Sequence, residues 1–298
     1  MHKLKFLAVT VIAAVMLASG CCCTDGVCRR REEPKISVFA SFVRGVAKQR
    51  NVSLEEAADM LYDLGVRGFD IGPGEKDLPR LAATKLKPIN FYFFAKFLDA
   101  DGGAAHSKDC LDTAVKFSVP RIMVVPPNFT KGGDEKAEFA KILAGMKKFV
   151  ADAKALGITV TVEDFGGTKN CCSHLKYLKS FLDEIPDIRL ALDSGNLYYA
   201  GRGEDIIELM NYAKGRIAHV HLKDQTADDN RKYATLGLGA VPNEQIVKSV
   251  AAQKYDGWYT LENPVGDTYN DTIRQVALVK NWIAELPGAA PWSATKAE

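Results

Sequence analysis

Four short apolar runs in the second half of the chain each end in a group that can bind a metal ion or move a proton. They read Thr159-Val160-Thr161-Val162-Glu163, Leu190-Ala191-Leu192-Asp193, Ala218-His219-Val220-His221 and Tyr259-Thr260-Leu261-Glu262. A single acid at a strand end is commonly a helix cap or a loop partner. The same kind of ending on four consecutive runs points to a shared site. Three carboxylates and one imidazole supply hard oxygen donors and one nitrogen. That set suits one divalent ion such as Mn²⁺, Mg²⁺, Co²⁺ or Zn²⁺ better than a thiol-seeking metal. Of the two histidines in His219-Val220-His221, we assign only His221, nearer the strand end, to this site. His219 is expected on the other face of its strand, packed against helices.

Those four runs belong to a longer alternation. Strands are expected at Ile36–Phe42, Gly68–Ile71, Ile89–Phe94, Arg121–Val125, Thr159–Glu163, Arg189–Asp193, Ile217–Leu222 and Trp258–Glu262. Each is a short run rich in β-branched or aromatic residues with polar, Gly or Pro boundaries. Helical patterns lie between them. Ser53-Leu54-Glu55-Glu56 is a capping box that opens a helix running to Leu64. Glu135–Leu156 carries apolar residues at helical spacing and stops at Gly157. His174–Ile185, Glu204–Ala213, Asn243–Gln253 and Thr268–Leu286 read the same way, and shorter helices are expected near Leu78–Thr84 and Ser107–Phe117. Eight strand–helix units, with strands apolar on both sides, predict a single (β/α)₈ TIM barrel. A doubly wound open sheet is disfavoured because no Gly-x-Gly-x-x-Gly loop follows the first strand. In such a barrel the chemistry sits at the C-terminal ends of the strands, where Glu163, Asp193, His221 and Glu262 fall.

The chain has 298 residues, with 39 Lys+Arg against 37 Asp+Glu, a formal net charge of +2. Both surplus charges, Lys3 and Lys5, lie in the first 20 residues. The remainder is neutral, which argues against a nucleic-acid partner. His2, Lys3 and Lys5 precede the uncharged run Phe6–Leu17 and then Ala18-Ser19-Gly20-Cys21. This is the pattern of an export signal over residues 1–20, with Cys21 as a lipidated first residue. Residues 21–34 read as a polar tether, 35–287 as the barrel and 288–298 as a tail. The expected location is the bacterial periplasm or cell envelope, with membrane contact only through the lipid. Cys110, Cys171 and Cys172 are too few for a disulfide framework, and their pairing is left open.

Several segments together resemble the sugar phosphate isomerase/epimerase family, the xylose isomerase-like barrels. They are Val162-Glu163-Asp164, Leu192-Asp193-Ser194-Gly195-Asn196, His219-Val220-His221-Leu222-Lys223-Asp224, Leu236-Gly237-Leu238-Gly239 and Tyr255-Asp256-Gly257-Trp258-Tyr259-Thr260-Leu261-Glu262. The resemblance covers roughly Lys35 to Leu286. It implies that Glu163, Asp193, His221 and Glu262 bind one divalent metal and that the two glutamates are the acid/base pair. Lys223, Asp224, Asn196 and Asp70 are expected near the substrate. Two positions depart from the pattern of the ketose epimerases: Asn196 stands where they carry His, and Ala227 where they carry Arg. The five histidines of the chain, one of them in the signal, are too few for the related three-zinc nuclease. The two-metal, carboxylate-rich site of classical xylose isomerase is also not displayed. The expected partner is a small carbohydrate, and the expected reaction is isomerisation or epimerisation of a non-phosphorylated keto-sugar or sugar derivative through an enediolate. A lyase or hydratase acting on 3-keto-glycosides is the second reading, and a non-catalytic sugar-binding lipoprotein the third.

Overall fold

The computed structural model describes residues 33–167 and 169–286. The expected signal, Cys21, most of the tether and the tail lie outside the described residues. Eight parallel strands close into a barrel: β1 (Lys35–Phe39), β2 (Val66–Ile71), β3 (Lys87–Phe94), β4 (Arg121–Val125), β5 (Thr159–Glu163), β6 (Arg189–Asp193), β7 (Ile217–Leu222) and β8 (Trp258–Leu261). Each pairs with its neighbours in sequence, and β1 closes on β8 through Lys35 opposite Trp258 to Val38 opposite Leu261. The helices are α1 (Ala40–Arg50), α2 (Leu54–Asp63), α3 (Leu78–Ala82), α4 (Ala104–Lys116), α5 (Glu135–Ala155), α6 (Leu175–Glu184), α7 (Asn196–Tyr199), α8 (Asp205–Tyr212), α9 (Asn243–Ala252) and α10 (Thr268–Ala284). Among the described residues, no helix is long and apolar enough to cross a membrane.

The expected capping box holds α2 in place. The Ser53 side chain accepts from the Glu56 N–H at 3.1 Å, and the Glu56 carboxylate accepts from the Ser53 N–H at 2.8 Å. The expected first strand, by contrast, overran its end. The chain turns helical at Ala40, and Ala40, Phe42, Val43 and Val46 are the buried face of α1. The apolar run of the strand passes into the apolar face of the helix with no polar boundary between them.

Alternation along the strands separates two buried apolar clusters. Ile122, Val124, Leu190 and Leu192 join the large cluster between strands and helices. Their sequence neighbours Met123, Val125 and Ala191 form a small separate cluster inside the barrel, with Tyr92 and Phe165 packed on it. Polar inward positions share that interior. They are Ser37, Asp70, Asn90, Thr161, His219 and Thr260, all fully buried.

Candidate active site

Glu163 ends β5, Asp193 ends β6, His221 is the penultimate residue of β7, and Glu262 follows β8. One ligand atom from each lies within 4.8 Å of the others. His221 Nδ1 faces all three acids, at 2.7 Å from Glu163 Oε1, 3.8 Å from Glu262 Oε2 and 4.0 Å from Asp193 Oδ2. Lys223 crosses the same space. Its Nζ lies 2.8 Å from Glu262 Oε1, 3.0 Å from Asp193 Oδ2 and 3.2 Å from Asn196 Oδ1. Asp193 Oδ1 accepts from the N–H groups of Gly195 and Asn196, each at 2.8 Å. Its Oδ2 is buried and receives no aligned hydrogen bond. A carboxylate fixed by one oxygen, with the other held by the Lys223 ammonium and turned toward two glutamates and an imidazole, already faces a cation and fits a cation ligand. The four side chains could hold one divalent ion.

Burial and the facing charges set the protonation of these groups. Burial, partly offset by the Lys223 ammonium, pushes the Asp193 carboxyl up to about 7. Burial works against a charge on His221, but hydrogen bonds to Asp70 and Glu163 hold its pKa well above the usual imidazole value. Burial alone would raise Glu262, but the positive charges of Lys223 and His221 outweigh it and keep this carboxyl below its ordinary value. Asp164, whose Oδ1 accepts from the Asp193 N–H at 2.7 Å, is raised well above its ordinary value by burial and by the Asp193 charge.

A second polar group lies directly beneath. Asp70, on β2, is fully buried, and its Oδ2 meets His221 Nε2 at 3.1 Å and Asn90 Nδ2 at 2.7 Å. Thr260 Oγ1 donates to Asp70 Oδ1 at 3.3 Å and lies 2.6 Å from Ser37 Oγ. His219 Nε2 contacts Thr260 Oγ1 at 2.5 Å, and His219 Nδ1 meets Arg121 Nη1 at 2.8 Å. A guanidinium only donates, so Nδ1 of His219 is the acceptor and Nε2 carries the proton. Burial and the Arg121 charge keep His219 neutral. The donors therefore run from Arg121 through His219 and Thr260 to Asp70. Asp70 in turn holds His221 Nε2–H and leaves Nδ1 toward the acids, an arrangement known to orient metal-binding histidines.

This geometry corrects the expectation for His219. Residues two apart on a strand share a face, so His219 points inward, one layer below His221, with ring centroids 4.7 Å apart. Asp70 was expected near the substrate; its buried carboxylate lies beneath His221 rather than at the mouth. Asp224 lies apart from the four acid and histidine ends. Its Oδ2 accepts from the N–H groups of Gly237 and Gly239 at 2.9 and 3.0 Å, and Oδ1 from Val241 at 3.0 Å. It thereby fastens the loop after β7. Asn196 and Lys223 do join the site: Asn196 Nδ2 donates to the Asp164 carbonyl at 2.8 Å. Cys110, Cys171 and Cys172 are buried free thiols. Asp164, Asn90, Thr260 and Arg121 were not singled out from sequence. The period of two, applied downward from each strand end, would have pointed to Thr260, two residues before Glu262.

The molecule is thus a (β/α)₈ barrel with an acid–histidine cluster at its C-terminal mouth. The family model of the xylose isomerase-like TIM barrel matches residues 54–285, and the chain belongs to that family. Two curated relatives are inosose dehydratases. The one from Clostridium beijerinckii is 27% identical over 166 residues, 50% of this chain and 55% of that protein. The match therefore spans about half of that relative's length. The one from Mesomycoplasma hyopneumoniae is 24% identical over 249 residues, 71% of this chain and 81% of that protein. Among solved structures, the IOLI protein with a bound zinc atom superposes with a TM-score of 0.68 at 13% identity, covering 85% of this chain and 99% of that one.

Proposed function

We propose that this protein is a divalent-metal-dependent carbohydrate enzyme that removes a proton next to the carbonyl of a keto-sugar or related polyhydroxylated ketone. The observation that carries the reading is the placement of Glu163 and Glu262. They come from the outer two of four adjacent strands, and both face His221 Nδ1. A bound divalent ion would hold adjacent carbonyl and hydroxyl oxygens and stabilise the negative charge that forms. Glu262, which Lys223 and His221 keep ionised, takes the proton from carbon. Glu163 returns one from the other side, giving isomerisation or epimerisation. Asn196 and Lys223 hold substrate hydroxyls. Asp70 acts through His221 as a positioning residue, and Asp224 orders the loop beside them.

The same carbanion can lose a group from the next carbon instead: the C–H bond breaks, then the C–O bond, and the leaving oxygen takes a proton. The two inosose dehydratase relatives favour this lyase outcome as the second reading. The amino-terminal pattern supports an exported chain lipid-anchored at Cys21, which suits a non-phosphorylated substrate.

The test is solvent deuterium entering the carbon next to the carbonyl of a keto-sugar panel. Glu262→Gln should lower that exchange by at least about a hundredfold, the scale of a lost general base. Undiminished exchange in that variant would falsify the acid/base assignment. Sugar binding with no exchange and no elimination on any ketone would favour a binding protein.

A further inference from the structure

The mouth of the barrel combines two kinds of group. The ends of β5 to β8 supply acids, an imidazole and a lysine. The ends of β1 and β3 and the loop after β5 supply rings: Phe39, Tyr92, Phe94 and Phe165. These rings form a chain. The Phe39 ring sits edge-on to His221 at 5.0 Å between centroids and stacks on Tyr92 at 5.5 Å. Tyr92 meets Phe94 at 6.4 Å, and Phe94 meets Phe165 at 6.5 Å, both edge-on. Tyr92 and Phe94 are two apart on β3, so they share the inward face and climb it from depth to rim. Exposure climbs with them: His221 is fully buried, Phe39 and Tyr92 are half-buried, and Phe94 is 58% exposed.

The rim continues this trend. Of the four aromatic rings most exposed among the described residues, Phe94, Tyr199 and Tyr233 all lie on segments leaving C-terminal strand ends. Exposed aromatic surface gathered at one mouth marks a binding surface. A sugar ring presents a C–H face that stacks on an aromatic face and hydroxyls that a polar wall can bond. Phe39 meets His221, Tyr92 is one ring-to-ring step from Phe39, Phe94 one step beyond Tyr92 and Phe165 one step beyond Phe94, so a sugar stacked on Phe39 and Tyr92 would leave Phe94 free for a further ring.

We propose that Phe94, backed by Phe165, is a second subsite for the ring attached to the reacting sugar, so that the substrate is a glycoside or disaccharide rather than a free monosaccharide. This rests on the reading that the reacting sugar lies at Glu163, Asp193, His221 and Glu262.

The test is equilibrium binding of three unreactive probes to the full chain: glucose, cellobiose and phenyl β-glucoside. The two glycosides should bind about fivefold or more tightly than glucose, the scale of one aromatic stacking contact. Phe94→Ala should abolish that difference and leave glucose affinity within about twofold, while Phe94→Trp keeps it. The exposed position makes both variants safe for folding, which an unchanged melting temperature checks. Equal affinity for all three probes, or equal losses for all three in Phe94→Ala, overturns the subsite. Deuterium exchange into a keto-monosaccharide separates the two readings. Exchange that persists without any glycoside preference sinks the subsite alone. A Phe94-dependent preference without exchange or elimination on any ketone sinks the proposed reaction alone.

Discussion

Asp193 and His221 would make metal capture at the proposed site dependent on pH. A carboxyl pushed up to about 7 by burial is largely protonated at pH 6 and must lose that proton to become a ligand. His221 must also release the proton it shares with Glu163. Affinity for Mn²⁺ or Zn²⁺ should therefore rise through pH 7, with protons released on binding. Calorimetry in two buffers of different ionisation enthalpy measures both, and an affinity flat between pH 6 and 8 contradicts the assignment. One layer deeper, Asp70→Asn should weaken metal binding about 10- to 100-fold by loosening the orientation of His221. Chelator competition reads this, and unchanged affinity would remove Asp70 from its positioning role. At this scale, the sequence made the four strand ends legible because each apolar run stops on a polar residue. It hid the layer beneath, since Thr260 and His219 look like strand interior until the period of two is followed inward.

The elements were legible in proportion to the sharpness of their edges. The bounds of β4, β5, β6 and β7 match expectation because each run stops at a charged residue or a proline: Pro126 follows β4, Glu163 and Asp193 end β5 and β6, and Lys223 follows β7. The start of α1 was lost where two apolar patterns run together. So was the small antiparallel pairing of Asp224–Gln225 with Tyr233–Ala234, which two-residue strands cannot signal by periodicity. Two changes test what secures the elements. Ser53→Ala removes the cap of α2 and should cost about 1 kcal/mol, read from the denaturation midpoint. Gly239→Ala should disorder the loop after β7, because an added Cβ would collide with the Asp224 carboxylate and the Gln225 carbonyl. A variant with native stability and native proteolysis of residues 226–242 would show that this close approach matters little.

At the scale of the whole molecule, one barrel carries its acids and its rings around a single mouth, and metal binding should be coupled to global stability. A ligand at about 100 times its dissociation constant adds roughly 2.7 kcal/mol. The melting temperature should therefore fall on treatment with chelator and recover with one equivalent of a divalent ion. The same molecule also holds three silent reporters. Cys110 is locked in α4, and Cys171 and Cys172 in the segment after β5, none accessible to solvent while the fold is closed. A thiol reagent reaches them only when those segments open. Peptide-resolved alkylation is thus a clock with two hands. It times the breathing of the barrel mouth separately from that of the outer helical shell, with no label added to the chain.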